Sequence, residues 1–209
     1  MFVETIAPEL IEKLPKANFD GEIHVIDKPG KEMDSAIRYL KTKKVIGFDT
    51  ESRPCFSAGQ PQYGTSLLQL SGAEKAFLFR IKLTGIDQRL RAILANPNII
   101  KVGAAVTDDI RGLKKFGNFK EAGFVDLQKI VGDYGIRDKS VKKMAAIILG
   151  VKISKTQQLS NWEAERLSEA QQKYAATDAW ICRVMYKRLL KSGKPVKEES
   201  DDKDNTQER

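Results

Sequence analysis

Residues 45–48, "VIGF", form an apolar run behind Lys43 and Lys44 that passes without a break into Asp49 and Glu51. A run of this length, bounded by charge, reads as a buried strand. Alternate residues of a strand share a face, so both carboxyl groups point the same way. Ionised acids held side by side are costly to desolvate without a cation or hydrogen-bond donors. A fold built on this strand must therefore bury its apolar half and still leave the acids compensated. The ordinary reading is that Asp49 caps a turn and Glu51 is solvated; the other is that the pair forms part of a site.

The surrounding pattern mixes strands and helices. A short helix is expected over 7–13. "SLLQLSG" (66–72) and "KAFLFRI" (75–81) read as a hairpin with a short loop. Residues 86–95 read as a helix ending before Asn96 and Pro97, and "IIKVGAA" (99–105) as a strand. Ile110, Leu113 and Phe116 follow at helical spacing, and "GFVDL" (123–127) is a short strand. Residues 140–150 read as a helix with Gly150 at its C-terminal cap. Ser168 and Gln171 frame a capping box that opens a last helix. The order predicts an α/β fold, a mixed sheet with antiparallel early strands and parallel later ones, flanked by helices.

That last helix carries a second misplaced acid. Tyr174, Asp178, Ile181, Cys182, Met185 and Leu189 form one stripe, with Lys173, Arg183 and Lys187 opposite. Helices normally turn an ionisable residue to water. Tyr174 lies one turn before Asp178, which brings phenol and carboxyl to one patch. A structural Tyr–Asp pair and a functional one remain equally open at this point. "KVGAAVTDDI" (101–110) adds acids at the start of a helix, where the macrodipole alone would favour them. Asp109 precedes the inward-facing Ile110 and Leu113, and Asp108 serves the dipole as well. Asp126 reads as an N-cap, and Trp162 as packing.

Charge and composition narrow the classes. The net charge is +8; residues 191–209 hold five basic and six acidic side chains, so the body carries +9. A basic body fits a polyanion, either nucleic acid or an anionic membrane surface. A single histidine, His24, excludes His-rich zinc sites and HExxH proteases. No GxxxxGK[ST] loop is present, so nucleoside triphosphate hydrolysis is not expected. No signal peptide or membrane-spanning run is expected, and the two cysteines suggest no disulfide framework, so a cytoplasmic protein is expected. The expected organisation is a lead-in over 1–20, a catalytic domain over 21–190 and a disordered charged tail over 191–209. The acids together are hard oxygen ligands, which suit Mg²⁺ or Mn²⁺ better than zinc.

In order and spacing, "FDTE" (48–51), "KVGAAVTDD" (101–109) and "YAATDA" (174–179) resemble the three motifs of the DEDD superfamily of 3′-5′ exonucleases. The Tyr174–Asp178 spacing resembles its tyrosine branch; the histidine branch would need His where Lys173 stands. "SLLQLS" (66–71) and residues 159–180 look especially like the Werner-type exonuclease domain, with ribonuclease D next. The resemblance spans about residues 22–190 and implies an RNase H-like sheet with two Mg²⁺ or Mn²⁺ ions. It implies that Asp49, Glu51, Asp109 and Asp178 are metal ligands, Asp49 bridging and Asp109 acting through water, and that Tyr174 orients the attacking water. The implied partner is a nucleic-acid 3′ end, releasing nucleoside 5′-monophosphates. DNA is favoured because no extra helical RNA-binding domain is recognisable; RNA trimming and a silent binding module are the alternatives. Candidate backbone contacts are Arg53, Arg111, Lys114, Lys115, Lys139, Lys142, Lys143, Lys152 and Lys155, each of which also reads as a solvated surface charge. Phe56 is a candidate for stacking on the terminal base and equally for core packing.

Overall fold

The computed structural model describes residues 1–55 and 63–193. Phe56 and the tail beyond Gly193 therefore lie outside the described residues. Helices are α1 (Pro8–Glu12), α2 (Lys31–Lys41), α3 (Ile81–Thr84), α4 (Gln88–Leu94), α5 (Val106–Lys114), α6 (Leu127–Ile130), α7 (Val141–Leu149) and α8 (Glu169–Ser192). Strands are β1 (Glu22–Ile26), β2 (Val45–Ser52), β3 (Thr65–Ser71), β4 (Lys75–Phe79), β5 (Ile100–Gly103) and β6 (Phe124–Asp126). They form one sheet in the order β1-β4-β3-β2-β5-β6. The β2–β3 and β3–β4 pairs are antiparallel, while β2–β5 and β5–β6 are parallel, as the order of elements predicts.

Besides the short helices α3 and α6, β1 and α2 go beyond the sequence expectations. β1 pairs parallel with β4 at the edge of the sheet, and α2 follows it. The signal for α2 is present in the sequence: its buried Met33, Ala36, Ile37 and Leu40 fall at i, i+3, i+4 and i+7. One boundary also differs, because the second arm of the hairpin ends at Phe79 and Ile81 opens the short α3.

The sheet has a different cover on each face. Phe48, Leu68, Leu70, Phe77 and Phe79 pack beneath α2, α4 and α5. Gly47, Asp49 and Glu51 alternate onto the other face, which α8 crosses. Along 174–182, α8 is buried on more than one side: Ala175, Ala176, Thr177 and Ala179 join the expected stripe. Arg183, expected on the outer face, turns back and donates from Nε to the carbonyl of Val45. The lead-in is packed rather than loose. Ile11 and Phe19 are buried, and the Phe19 amide donates to Thr177 Oγ1 at 3.0 Å. Among the described residues, no helix is long and apolar enough to cross a membrane.

Candidate active site

β2 outruns its parallel neighbour. Its register with β5 ends at Gly47↔Val102, whereas its pairing with β3 continues through Glu51↔Leu67. Asp49 and Glu51 thus stand where one flank of β2 is open. The helix α8 closes over them because Gly47 has no side chain: a Cβ there would sit 1.8 Å from the carbonyl oxygen of Ala179. That crossing brings Asp178 down onto the strand. Asp49, Glu51 and Asp178 each offer a carboxylate oxygen, and these oxygens lie within 4.8 Å of one another.

The electrostatics of the trio are unfavourable as they stand. Desolvation pushes the carboxyl of Asp49 well above its ordinary range, and the charges of Asp178, Glu51 and Asp109 add to the rise. Glu51 is raised by the same causes, burial first and then Asp178 and Asp109. Asp178 is also raised by burial, against lowering contributions from the Tyr174 hydroxyl and the charge of Lys155. Among the described residues no lysine or arginine forms an ion pair with any of the three. A set of hard oxygens without a cation is the chemistry that divalent Mg²⁺ or Mn²⁺ satisfies, so the residues present fit such ions.

Asp109 is close to the trio but not within it. It accepts a 2.5 Å hydrogen bond from Thr50 Oγ1, the β2 residue between the two acids that faces the opposite side of the sheet. Burial still raises its pKa to about 6, against the lowering effect of that bond. Asp108, one residue earlier, is solvent-exposed and pairs with Arg111. The turn that delivers Asp109 is strained: Ala105 has φ 60°, ψ 36°, a left-handed conformation unusual for a residue with a Cβ. Asp126 holds it. Its Oδ1 accepts from the amide of Gln128, as an N-cap should, and also from Ala105 at 3.0 Å.

Tyr174 is packed against a buried tryptophan. Its ring lies 6.0 Å from that of the buried Trp162, centroid to centroid. The loop carrying Trp162 is pinned to the sheet by Arg80, whose guanidinium donates to the carbonyls of Ala164 and Glu165. Burial, followed by the charges of Asp178 and Glu51, holds the phenol protonated far above the ordinary range of tyrosine.

The basic candidates divide. Lys155 acts on Asp178. The Arg53 guanidinium stacks 4.6 Å above the Tyr63 ring. Arg111, Lys114 and Lys143 are engaged with Asp108, Glu121 and Asp138. Lys142 and Lys152 both pair with Glu12, while Lys115 and Lys139 are exposed. Sequence reasoning passed over Gly47, Thr50 and Gln69. Gln69 faces Asp49 across the β2–β3 pair and is buried with neither amide atom hydrogen-bonded. A glutamine inside a run otherwise apolar was the available signal for it.

The comparisons with known proteins point to one family. A family model described as 3′-5′ exonuclease matches residues 24–194. The bifunctional 3′-5′ exonuclease/ATP-dependent helicase WRN of Mus musculus is 29% identical over 190 residues, covering 86% of this chain and 13% of that protein. Ribonuclease D of Gluconacetobacter diazotrophicus is 34% identical over 164 residues, covering 77% of this chain and 40% of that protein. The chain therefore spans less than half the length of either relative. Among solved structures, the Nibbler EXO domain of Aedes aegypti superposes with a TM-score of 0.70 at 21% identity, covering 84% of this chain and 91% of that one.

Proposed function

The chain belongs to the 3′-5′ exonuclease family, and from that premise we propose that it removes nucleotides one at a time from the 3′ end of DNA as nucleoside 5′-monophosphates. The observation that carries this reading is the trio Asp49, Glu51 and Asp178, with oxygens within 4.8 Å of one another. Asp49, Glu51 and Asp178, with Asp109 near them, would hold the divalent ions. Mg²⁺ or Mn²⁺, when bound, supplies charge neutralisation at the phosphate and an activated water.

The protein's own residues do the rest. The Tyr174 hydroxyl, kept protonated and fixed through its ring, orients the attacking water. Oxygen from that water bonds to phosphorus as the bond to the leaving 3′ oxygen breaks. The charge of Lys155 lies close enough to Asp178 to favour an anionic phosphate there. RNA is the second reading, favoured by the likeness to ribonuclease D.

Digestion of 3′- and 5′-labelled DNA and RNA strands with Mg²⁺, Mn²⁺ or EDTA tests the proposal. The expected result is stepwise shortening from the 3′ end with either ion and none in EDTA. Faster loss of RNA would move the assignment to the second reading. Full activity in EDTA would overturn the metal-dependent mechanism.

A further inference from the structure

A second concave site lies where the lead-in meets the segment between α7 and α8. The lead-in is clamped there by two backbone hydrogen bonds, from Ala17 to the carbonyl of Lys152 and from Lys152 to the carbonyl of Pro15, both 2.9 Å. The clamp borders an open hollow of about 230 Å³, lined by Glu12, Lys16, Lys142, Lys152, Lys155, Ser154 and Thr156 among others.

Four lysines against one glutamate leave the lining three charges positive. Glu12 engages only two of them. Lys142 Nζ reaches its carboxylate at 2.6 Å, and Lys152 Nζ lies 3.5 Å from the same group while also donating to the Glu12 carbonyl. Lys16 and Lys155 have no acid partner among the described residues. Three ammonium groups beyond what one carboxylate neutralises, gathered in a hollow, attract a polyanion rather than a neutral ligand. Lys155 connects the two sites: it lines the pocket, and it stands in the segment that runs from the end of α7 at Leu149 into α8, the helix that carries Asp178.

We propose that this pocket binds a backbone phosphodiester of the substrate strand on the 5′ side of the terminal nucleotide, with Lys16 and Lys155 as its unengaged cations. The inference rests on the nucleolytic reading of the carboxylate site. It gives the lead-in a role: α1 and residues 13–17 form one wall of the strand's path. It also explains why Glu12 belongs there, since it holds Lys142 and Lys152 in place without cancelling the pocket's charge. The chemistry is that of a phosphodiester, common to DNA and RNA, so the pocket supplies affinity without sequence preference.

The test is the salt dependence of affinity. Binding of ten-residue dT and rU strands, with a phosphorothioate at the last linkage to slow turnover, is measured in Mg²⁺ across a KCl series. Wild type is compared with Lys16→Gln, Lys16→Arg and Lys44→Gln; Lys44 stands at the start of β2, at the opposite end from the carboxylates. Each lost phosphate contact lowers the slope of log affinity against log salt by about 0.7. Lys16→Gln is expected to show that drop, with affinity at low salt roughly two- to fivefold weaker. Lys16→Arg should retain the wild-type slope, and so should Lys44→Gln. Melting curves check that each variant is folded.

If wild type hydrolyses 3′ ends but Lys16→Gln keeps the full slope, the pocket assignment is wrong and the enzymatic reading stands. If wild type neither binds nor hydrolyses either strand, both fall. A free-phosphate site is the remaining alternative. Stabilisation by millimolar inorganic phosphate that depends on Lys16, together with an unchanged slope for the strands, would overturn the strand assignment in its favour.

Discussion

The carbonyl oxygen of Ala179 occupies the space a β-carbon on Gly47 would need, 1.8 Å from its ideal position. Asp178 adjoins one of these residues and Asp49 lies two beyond the other. The contact between a helix backbone and a strand backbone therefore sets the distance between two acids from different elements. Gly47→Ala forces α8 off the sheet. Overpacking of this kind costs about 1–3 kcal/mol, and here it also separates Asp49 from Asp178. Turnover in the folded protein should fall by more than the loss of stability accounts for. Thermal unfolding and single-turnover rate, measured together, check it. A variant with wild-type melting and rate would show that the two backbones are not in contact.

Thr50 and Asp109 give a second test. Thr50→Val keeps the shape and removes the hydroxyl that donates to Asp109. Losing one partner of a part-buried hydrogen bond costs about 1–3 kcal/mol, and Asp109 is no longer held toward the site. Asp109→Ala should be severe for turnover, Thr50→Val intermediate, and Asp108→Ala mild, because Asp108 is exposed and pairs only with Arg111. Steady-state rates of the three variants give the order. Asp108→Ala falling below Asp109→Ala would reverse the assignment within "TDD".

What could be read from the sequence follows from where a local rule is broken. Asp178 in an apolar stripe and Asp49 at the end of a buried strand violate ordinary burial, and violations are visible without a structure. Helical spacing left Asp108 and Asp109 both open, and it was the family resemblance that singled out Asp109; Ile110 and Leu113 beside it are buried as expected. Gly47 breaks no local rule, since its reason for being glycine is the carbonyl of Ala179, on a helix far along the chain. The Lys16 wall was hidden for the same cause: its partner, Lys152, meets it only through an isolated bridge. The edge strand β1 carries a half-exposed five-residue pattern too short to stand out. The stripe of α2 is plain, and nothing physical concealed it.

The unpaired charge of the trio should appear in the pH dependence of stability. Asp49, Glu51, Asp109 and Asp178 are all raised above ordinary carboxyl values. The folded metal-free protein therefore binds protons more tightly than the unfolded chain, and its stability is lost as pH rises. For Asp109 the loss runs from about pH 4, the unfolded value, to about 6; the trio extends it upward. In EDTA the melting temperature should be lower at pH 8 than at pH 6, and Mg²⁺ or Mn²⁺ should recover more of it at pH 8. Asp49→Asn should melt higher than wild type in EDTA at pH 8 while losing turnover. Equal melting of the two proteins there would mean that the acids are compensated by something other than a cation.

Tyr174 separates structure from chemistry by one oxygen atom. Its ring is held by Trp162 and its hydroxyl meets Asp178. Tyr174→Phe preserves the ring and deletes the hydroxyl. If the hydroxyl only satisfies Asp178, its loss costs roughly 1–3 kcal/mol and leaves the rate of the folded protein alone. A residue that orients the attacking water is worth about 10²–10⁴-fold in rate, with little change in melting. The second outcome is expected, because Asp178 faces two other acids and gains more compensation from a cation than from one phenol. Metal-free protein would blur the comparison, since Asp178 then depends on Tyr174 more heavily. Single-turnover rate and thermal unfolding should therefore be measured in saturating Mg²⁺. A destabilised variant with an unchanged rate would make Tyr174 a packing residue and leave the water to be oriented by the carboxylates alone.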